Sequence, residues 1–151
     1  MQKFSPASIL VLSRRDWYNL KEFERPATLA EAKMHEMAIA QGIMKIAVKT
    51  ALENEARKIL SVKVLIGQMT GIDSDSLIFC FKSLAKAETQ IEAANAVLTV
   101  ETLPLRAKCQ ECFREIEFKE KVYRFFCPQC DSPHLNIISG QDLNVAHLDV
   151  E

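Results

Sequence analysis

The chain has 151 residues, 48% of them hydrophobic and 26% charged, which leaves room for one moderate core or a small core plus a metal-stapled module. Nineteen basic residues against twenty acidic ones leave a net charge of −1. That balance gives no electrostatic case for a nucleic-acid partner, whose binders gather positive charge on one face. No apolar run approaches the ~20 residues of a membrane span, and Ile9-Leu10-Val11-Leu12 is too short for a signal-peptide core, so a cytoplasmic, reducing setting is expected.

Residues 1–33 show no clear hydrophobic period and no targeting pattern. From Glu36 to about Lys58, Met37, Ala40, Met44, Ala47, Val48 and Ala51 recur at three- and four-residue steps. This is the stripe of an amphipathic helix, with Lys45, Lys49 and Glu53 on the wet side. Gly42 weakens it by about 1 kcal/mol relative to Ala without breaking it. Val62, Val64 and Ile66 alternate as a strand ending at Gly67. Gly71 marks a turn, and Asp73 caps a second helix that buries Leu77, Cys80, Phe81 and Leu84. Cys80 lies in an apolar run and reads as a small buried hydrophobe with no function. A strand follows over 96–103 and stops at Pro104.

Residues 105–136 form a separate module. Two tight pairs, Cys109-Gln110-Glu111-Cys112 and Cys127-Pro128-Gln129-Cys130, are separated by fourteen residues. Each pair turns back on itself, so four thiolates can close a tetrahedron around one Zn²⁺ at roughly 2.3 Å per bond. With every position taken by sulfur, such a site shapes the protein and does no chemistry. Iron in the same S₄ set is the alternative metal. A thioredoxin-like pair needs one Cys-x-x-Cys beside a βαβ pattern, and disulfides do not suit the expected compartment. Between the pairs, Ile116 and Phe118 alternate with charged residues as a short hairpin arm would. The basic residues Lys108, Arg114, Lys119, Lys121 and Arg124 are interleaved with Glu111, Glu115, Glu117 and Glu120. Ser139-Gly140-Gln141-Asp142 reads as a turn before a last strand over 143–150. A lone strand cannot stand by itself, so it is expected to rejoin the first sheet.

The predicted fold is therefore α+β: a small domain with two helices and a three-stranded sheet, formed by 34–104 plus 137–151, with an inserted zinc-ribbon-like module at 105–136. Residues 1–33 are expected to be an extension outside that native fold.

Met34-His35-Glu36-Met37 directly precedes the first predicted helix. This motif, the strand ending Leu65-Ile66-Gly67, the stretch Ser76-Leu77-Ile78-Phe79-Cys80-Phe81 and the two cysteine pairs, in that order, resemble the HypA/HybF family of nickel-insertion proteins in nickel–iron hydrogenase maturation. The likeness runs from Met34 to Glu151. It implies a nickel metallochaperone and not an enzyme: Ni²⁺ carried in transit at Met34, His35 and Glu36, and Zn²⁺ held by Cys109, Cys112, Cys127 and Cys130. It also implies work with the maturation GTPase HypB and the hydrogenase large subunit. Neither nucleic acid nor membrane is implied as a partner, and homodimerisation is left open.

The chemistry of such a motif at a chain start is specific. A free α-amine has a pKa of ~7.7–8.0, so a metal readily displaces its proton. The amine, the His amide nitrogen and its ring nitrogen form fused chelate rings, and the next amide completes a plane of four nitrogens, which suits Ni²⁺ or Cu²⁺ and not Zn²⁺. Here Lys33 occupies the place where that amine is free in the family. Three readings stand: translation starts at Met34, a protease removes 1–33, or nickel binds differently, using His35 with Glu36. His134 is a candidate further nickel nitrogen or a solvated loop residue, and His147 is a weaker one. Glu36 alternatively reads as a first-turn acid favoured by the helix dipole. The competing function is a zinc-ribbon adaptor that binds nucleic acid or a protein partner without nickel transfer.

Overall fold

The computed structural model describes residues 8–10, 29–119 and 125–151, with side chains for 35–119 and 125–151. Its elements are β1 (Ser8–Leu10), α1 (Leu29–Glu53), β2 (Ile59–Gly67), α2 (Ser74–Ala87), β3 (Val97–Leu103), β4 (Leu105–Cys109), β5 (Glu115–Phe118), β6 (Leu135–Ser139) and β7 (Leu143–Val150). They form a four-stranded sheet in the order β1-β7-β2-β3 and a three-stranded sheet in the order β5-β4-β6. The chain divides into two compact units: Met1–Val64, Ile72–Val100 and Asn144–Glu151 form the first, Leu65–Gly71 and Glu101–Leu143 the second.

In the first unit the stripe of α1 is buried at Ile39, Ala40, Ile43, Met44, Ala47, Val48 and Ala51, and α1 packs on α2. The two isoleucines fill the stripe, while Met37 is only half-buried. Gly42 is accommodated without a break. The helix ends at Glu53, earlier than its composition suggests, because Glu55 turns left-handed at φ 57°. The Glu55 N–H then bonds the Leu52 carbonyl at 3.1 Å and the Ala56 N–H the Ala51 carbonyl at 3.0 Å. That is a Schellman cap, which satisfies carbonyls the helix leaves open.

The start of α1 departs from the sequence reading. The helix begins at Leu29, seven residues before Glu36. Leu29-Ala30-Glu31-Ala32-Lys33 are strong helix formers, and nothing between Lys33 and Met34 interrupts them. The sheet departs too: the expected three strands are present, and Ser8–Leu10 adds a fourth, antiparallel to Val150–Leu148 of β7. Three residues are too few to carry a period-two pattern, so the pairing rests on backbone hydrogen bonds to an edge that the sequence does not mark.

In β2, Ile59, Val62, Val64 and Ile66 are buried. Asp73 caps α2, its carboxylate accepting the Ser76 N–H at 2.9 Å. The helix buries Leu77, Cys80, Phe81 and Ala85, with Leu84 half-buried. The last strand does rejoin the first sheet, since β7 lies beside β2.

In the second unit β4 is the central strand. Leu105, Ala107 and Cys109 point inward and Arg106 and Lys108 outward. β5 pairs antiparallel with it, Leu105 opposite Phe118 and Ala107 opposite Ile116, and β6 pairs on the other side with Cys109 opposite Leu135. The unit also takes in the end of β2. The Gly67 N–H bonds the Asp142 carbonyl at 2.7 Å and the Met69 N–H the Gly140 carbonyl at 2.8 Å. Two glycines make this approach possible. A Cβ on Gly67 would fall 2.2 Å from the Gly140 carbonyl carbon, and one on Gly140, itself at φ 104°, 2.6 Å from the Leu105 Cα.

Candidate metal centres

The four cysteines are brought to one point by two matching turns. Cys109 closes β4, and its N–H bonds the Arg114 carbonyl at 2.9 Å; the Cys127 N–H bonds the Ser132 carbonyl, also at 2.9 Å. The residue after the second cysteine of each pair is left-handed, Phe113 at φ 59° and Asp131 at φ 54°. Each knuckle therefore uses the same closure, an N–H bonded to the carbonyl five positions on, and a non-glycine residue adopts the reversed backbone in both.

All four Sγ atoms lie within 4.8 Å of one another. Cys109 and Cys130 are 3.6 Å apart, as are Cys112 and Cys127. A disulfide needs ~2.05 Å, whereas a tetrahedron of sulfurs at ~2.3 Å from a central ion has edges of about 3.8 Å. The donor set thus fits a four-coordinate, thiophilic metal with no position left for substrate. Cys109 and Cys127 are buried, Cys112 is half-buried and Cys130 exposed.

The thiols are electrostatically unequal. The Cys112 backbone N–H favours the Cys109 thiolate over the burial that opposes it and, with the Glu111 N–H, brings Cys109 down to about 6. The Ser132 N–H likewise favours the Cys130 thiolate. Desolvation and the neighbouring sulfurs of Cys127, Cys109 and Cys112 outweigh it and push Cys130 up to about 12. Four sulfurs this close cannot all ionise without a cation among them.

Met34, His35 and Glu36 are not assembled in this way. All three lie within α1, where successive residues are turned by about 100° around the axis. An imidazole and a carboxylate on adjacent helical residues diverge. His35 is half-buried, with Nε2 shielded from solvent. Glu36 is 5% exposed and lies inside the helix rather than in its first turn. Its Oε1 accepts the Asp73 N–H at 3.3 Å, and its Oε2 is buried with no hydrogen-bond partner among the described residues.

Asp73 is the neighbour that sequence reasoning missed. Its type marked a helix cap, but no local signal tied it to Glu36, 37 positions away. The hydroxyl and amide of Ser76 hold its carboxyl below the usual range. His134 sits in the second unit, with Nδ1 3.1 Å from Glu111 Oε1 and its carbonyl accepting the Gln110 N–H. His147 is half-buried on β7, its Nδ1 3.1 Å from the Ala146 carbonyl oxygen. Among the described residues, no helix is long and apolar enough to cross a membrane.

Fold and cluster together define a small α+β protein with a ribbon-type four-cysteine metal module. A family model described as hydrogenase/urease nickel incorporation, metallochaperone, HypA matches residues 34–150. A hydrogenase maturation factor HypA from Geobacter metallireducens is 35% identical over 118 residues, covering 78% of this chain and 100% of that protein. One from Desulfatibacillum aliphaticivorans is 39% identical over 118 residues, covering 78% and 87%. The solution structure of the Ni metallochaperone HypA from Helicobacter pylori shares the fold, with a TM-score of 0.56 at 20% identity over 76% of this chain and 96% of that one. The chain belongs to the HypA family of nickel metallochaperones and hydrogenase maturation factors.

Proposed function

We propose that the chain carries Ni²⁺ at an end formed by Met34, His35 and Glu36 and delivers it to the large subunit of a nickel–iron hydrogenase. Zn²⁺ in the Cys109, Cys112, Cys127 and Cys130 set keeps the ribbon folded. The observation that carries the reading is the family match that begins at residue 34, where Met-His-Glu stands. A chain in which Met34 bears the free amine supplies that amine, the two following amide nitrogens and the His35 imidazole as a square-planar nitrogen set. This open, exchangeable donor set suits a cargo that must be handed on, whereas the closed sulfur set suits a resident ion. Transfer is ligand exchange, so nickel affinity falls as pH drops and the amine and imidazole protonate.

In the same reading, 34–104 with 137–151 is the nickel-carrying domain and 105–136 the zinc module. The maturation GTPase HypB is the partner in delivery, and the setting is the cytoplasm. The test is metal titration of a chain beginning at Met34 against its His35→Ala variant. The variant should lose nickel while keeping one zinc per chain. Full nickel affinity in the variant would rule out the amine–imidazole chelate.

A further inference from the structure

The four sulfurs of the ribbon are alike in chemistry and unequal in access. Cys109 and Cys127 are buried and Cys112 is half-buried, whereas Cys130 is exposed. The thiolate is the form of cysteine that attacks an oxidant, and it needs a path to solvent. In a closed four-sulfur set every coordinating cysteine is a thiolate, so access decides which of them a small oxidant meets first. That position falls to Cys130, whose neighbours Gln129 and Asp131 are exposed as well.

The same packing supplies each oxidised sulfur with a partner. Cys109 Sγ lies 3.6 Å from Cys130 Sγ, 21 positions along the chain. Cys112 Sγ lies 3.6 Å from Cys127 Sγ, 15 positions along. Both contacts run between the knuckles and not within one. Closing either to a bonded distance of ~2.05 Å takes about 1.5 Å of movement, which small side-chain rotations supply.

We propose that the cysteine module is an oxidation site for a hydroperoxide, entered at Cys130 and resolved across the knuckles. The Cys130 thiolate attacks one peroxide oxygen: an S–O bond forms, the O–O bond breaks, and the departing oxygen takes a proton and leaves as water or an alcohol. Sulfur gives up two electrons and becomes a sulfenic acid. Cys109 Sγ then attacks Cys130 Sγ: the S–S bond forms, the S–O bond breaks, and the hydroxide that leaves is protonated to water. A second peroxide repeats the sequence at Cys112 and Cys127. Sulfurs joined in a disulfide are no longer thiolate ligands, and a site of this type needs three or four protein donors, so the ion is released. In a reducing setting, exchange with thiols restores the cysteines. The inference rests on the four-sulfur metal site alone and stands whether or not Met34, His35 and Glu36 carry nickel.

The experiment treats the full, zinc-loaded chain with hydrogen peroxide and follows zinc release with a chromogenic chelator. Trypsin under denaturing conditions then reads the pairing, because Lys108 and Arg114 bracket the first knuckle, Arg124 precedes the second, and no lysine or arginine follows it. Peptides 109–114 and 125–151 should come off joined to each other and separate on addition of dithiothreitol. At substoichiometric peroxide, a sulfenate-trapping diketone should label Cys130 ahead of the other three. Cys130→His keeps four donors for zinc and should slow its release by roughly tenfold or more, since the exposed thiolate is gone. Zinc retained by the unaltered chain under excess peroxide overturns the proposal. Release with a disulfide inside each knuckle peptide overturns resolution across the knuckles. First labelling at another cysteine, or undiminished release from Cys130→His, overturns entry at Cys130. The labelling uses the unaltered chain, so it decides the entry point even where the variant holds zinc poorly.

Discussion

The two candidate metal centres differ in how much of each site the folded chain has already built. In the ribbon, two short turns with the same closure bring four sulfurs within 4.8 Å, and the geometry fits one class of ion. At Met34–Glu36 the donors are adjacent in sequence, yet the helix spreads the side chains and engages the backbone nitrogens. A resident ion is served by donors that converge from separate turns and stay there. The donors proposed for a transient cargo lie instead on one continuous helix and do not converge. Proximity in sequence is therefore a poor guide to proximity of donors, and the regular structure around them decides.

The comparison can be broken most sharply at the ribbon. Cys127→Ala should abolish stoichiometric zinc binding and collapse the β4-β5-β6 sheet, because the folding of such a module depends on its metal. Zinc analysis and the amide spectrum read this out, and the α1–α2 core should keep its dispersion. A ribbon that stays ordered without zinc would remove the distinction between the centres. Acidification should act in the same direction, since the thiolates must reprotonate to release the ion.

The converse change is Phe81→Ala in the first unit, where that ring is fully buried. The cavity should cost about 3–5 kcal/mol in denaturant unfolding of the α1–α2 core, with zinc retained. Simultaneous loss of zinc would show that the ribbon does not hold its metal independently.

Glu36 offers a smaller and more local test. Glu36→Ala leaves the Asp73 N–H without its acceptor and should cost about 1–3 kcal/mol, whereas Glu36→Gln retains an oxygen for that bond and should cost less. Equal losses would mean that the charge, and not the hydrogen bond to Asp73, carries the interaction.

The smallest effect is expected at Asp73. Removing the cap by Asp73→Ala should lower the melting temperature by a few degrees. The Asp73 carboxyl is depressed in the fold, so its contribution is fully present above the ordinary aspartate pKa of about 3.9. It is lost as pH falls through the lower folded value. The difference between wild type and variant should therefore close only in acid. A difference that persists below that range would assign the effect to something other than the ionised cap.

Much of this was legible in residue order alone. The Cys-x-x-Cys pairs announced their tetrahedron because each knuckle is a local turn, and local turns are fixed by neighbouring residues. The Ile66–Gly67 strand end, the Gly71 turn, the Asp73 cap and the Leu77–Cys80–Phe81 stripe were legible for the same reason. What tertiary structure alone decided involves partners far apart in the chain. The Glu36–Asp73 bond spans 37 positions. The Gly67–Gly140 approach needs two bare backbones from distant segments. β1 is too short to show a pattern and exists only against the edge of β7. The continuation of α1 through Met34 follows the same division. Local helix propensity in Leu29–Lys33 was present in the sequence, but period-based reading anchors a helix on its buried face. That face begins at Ile39, so the period marks the packed part of α1 and gives no sign of the turns ahead of it.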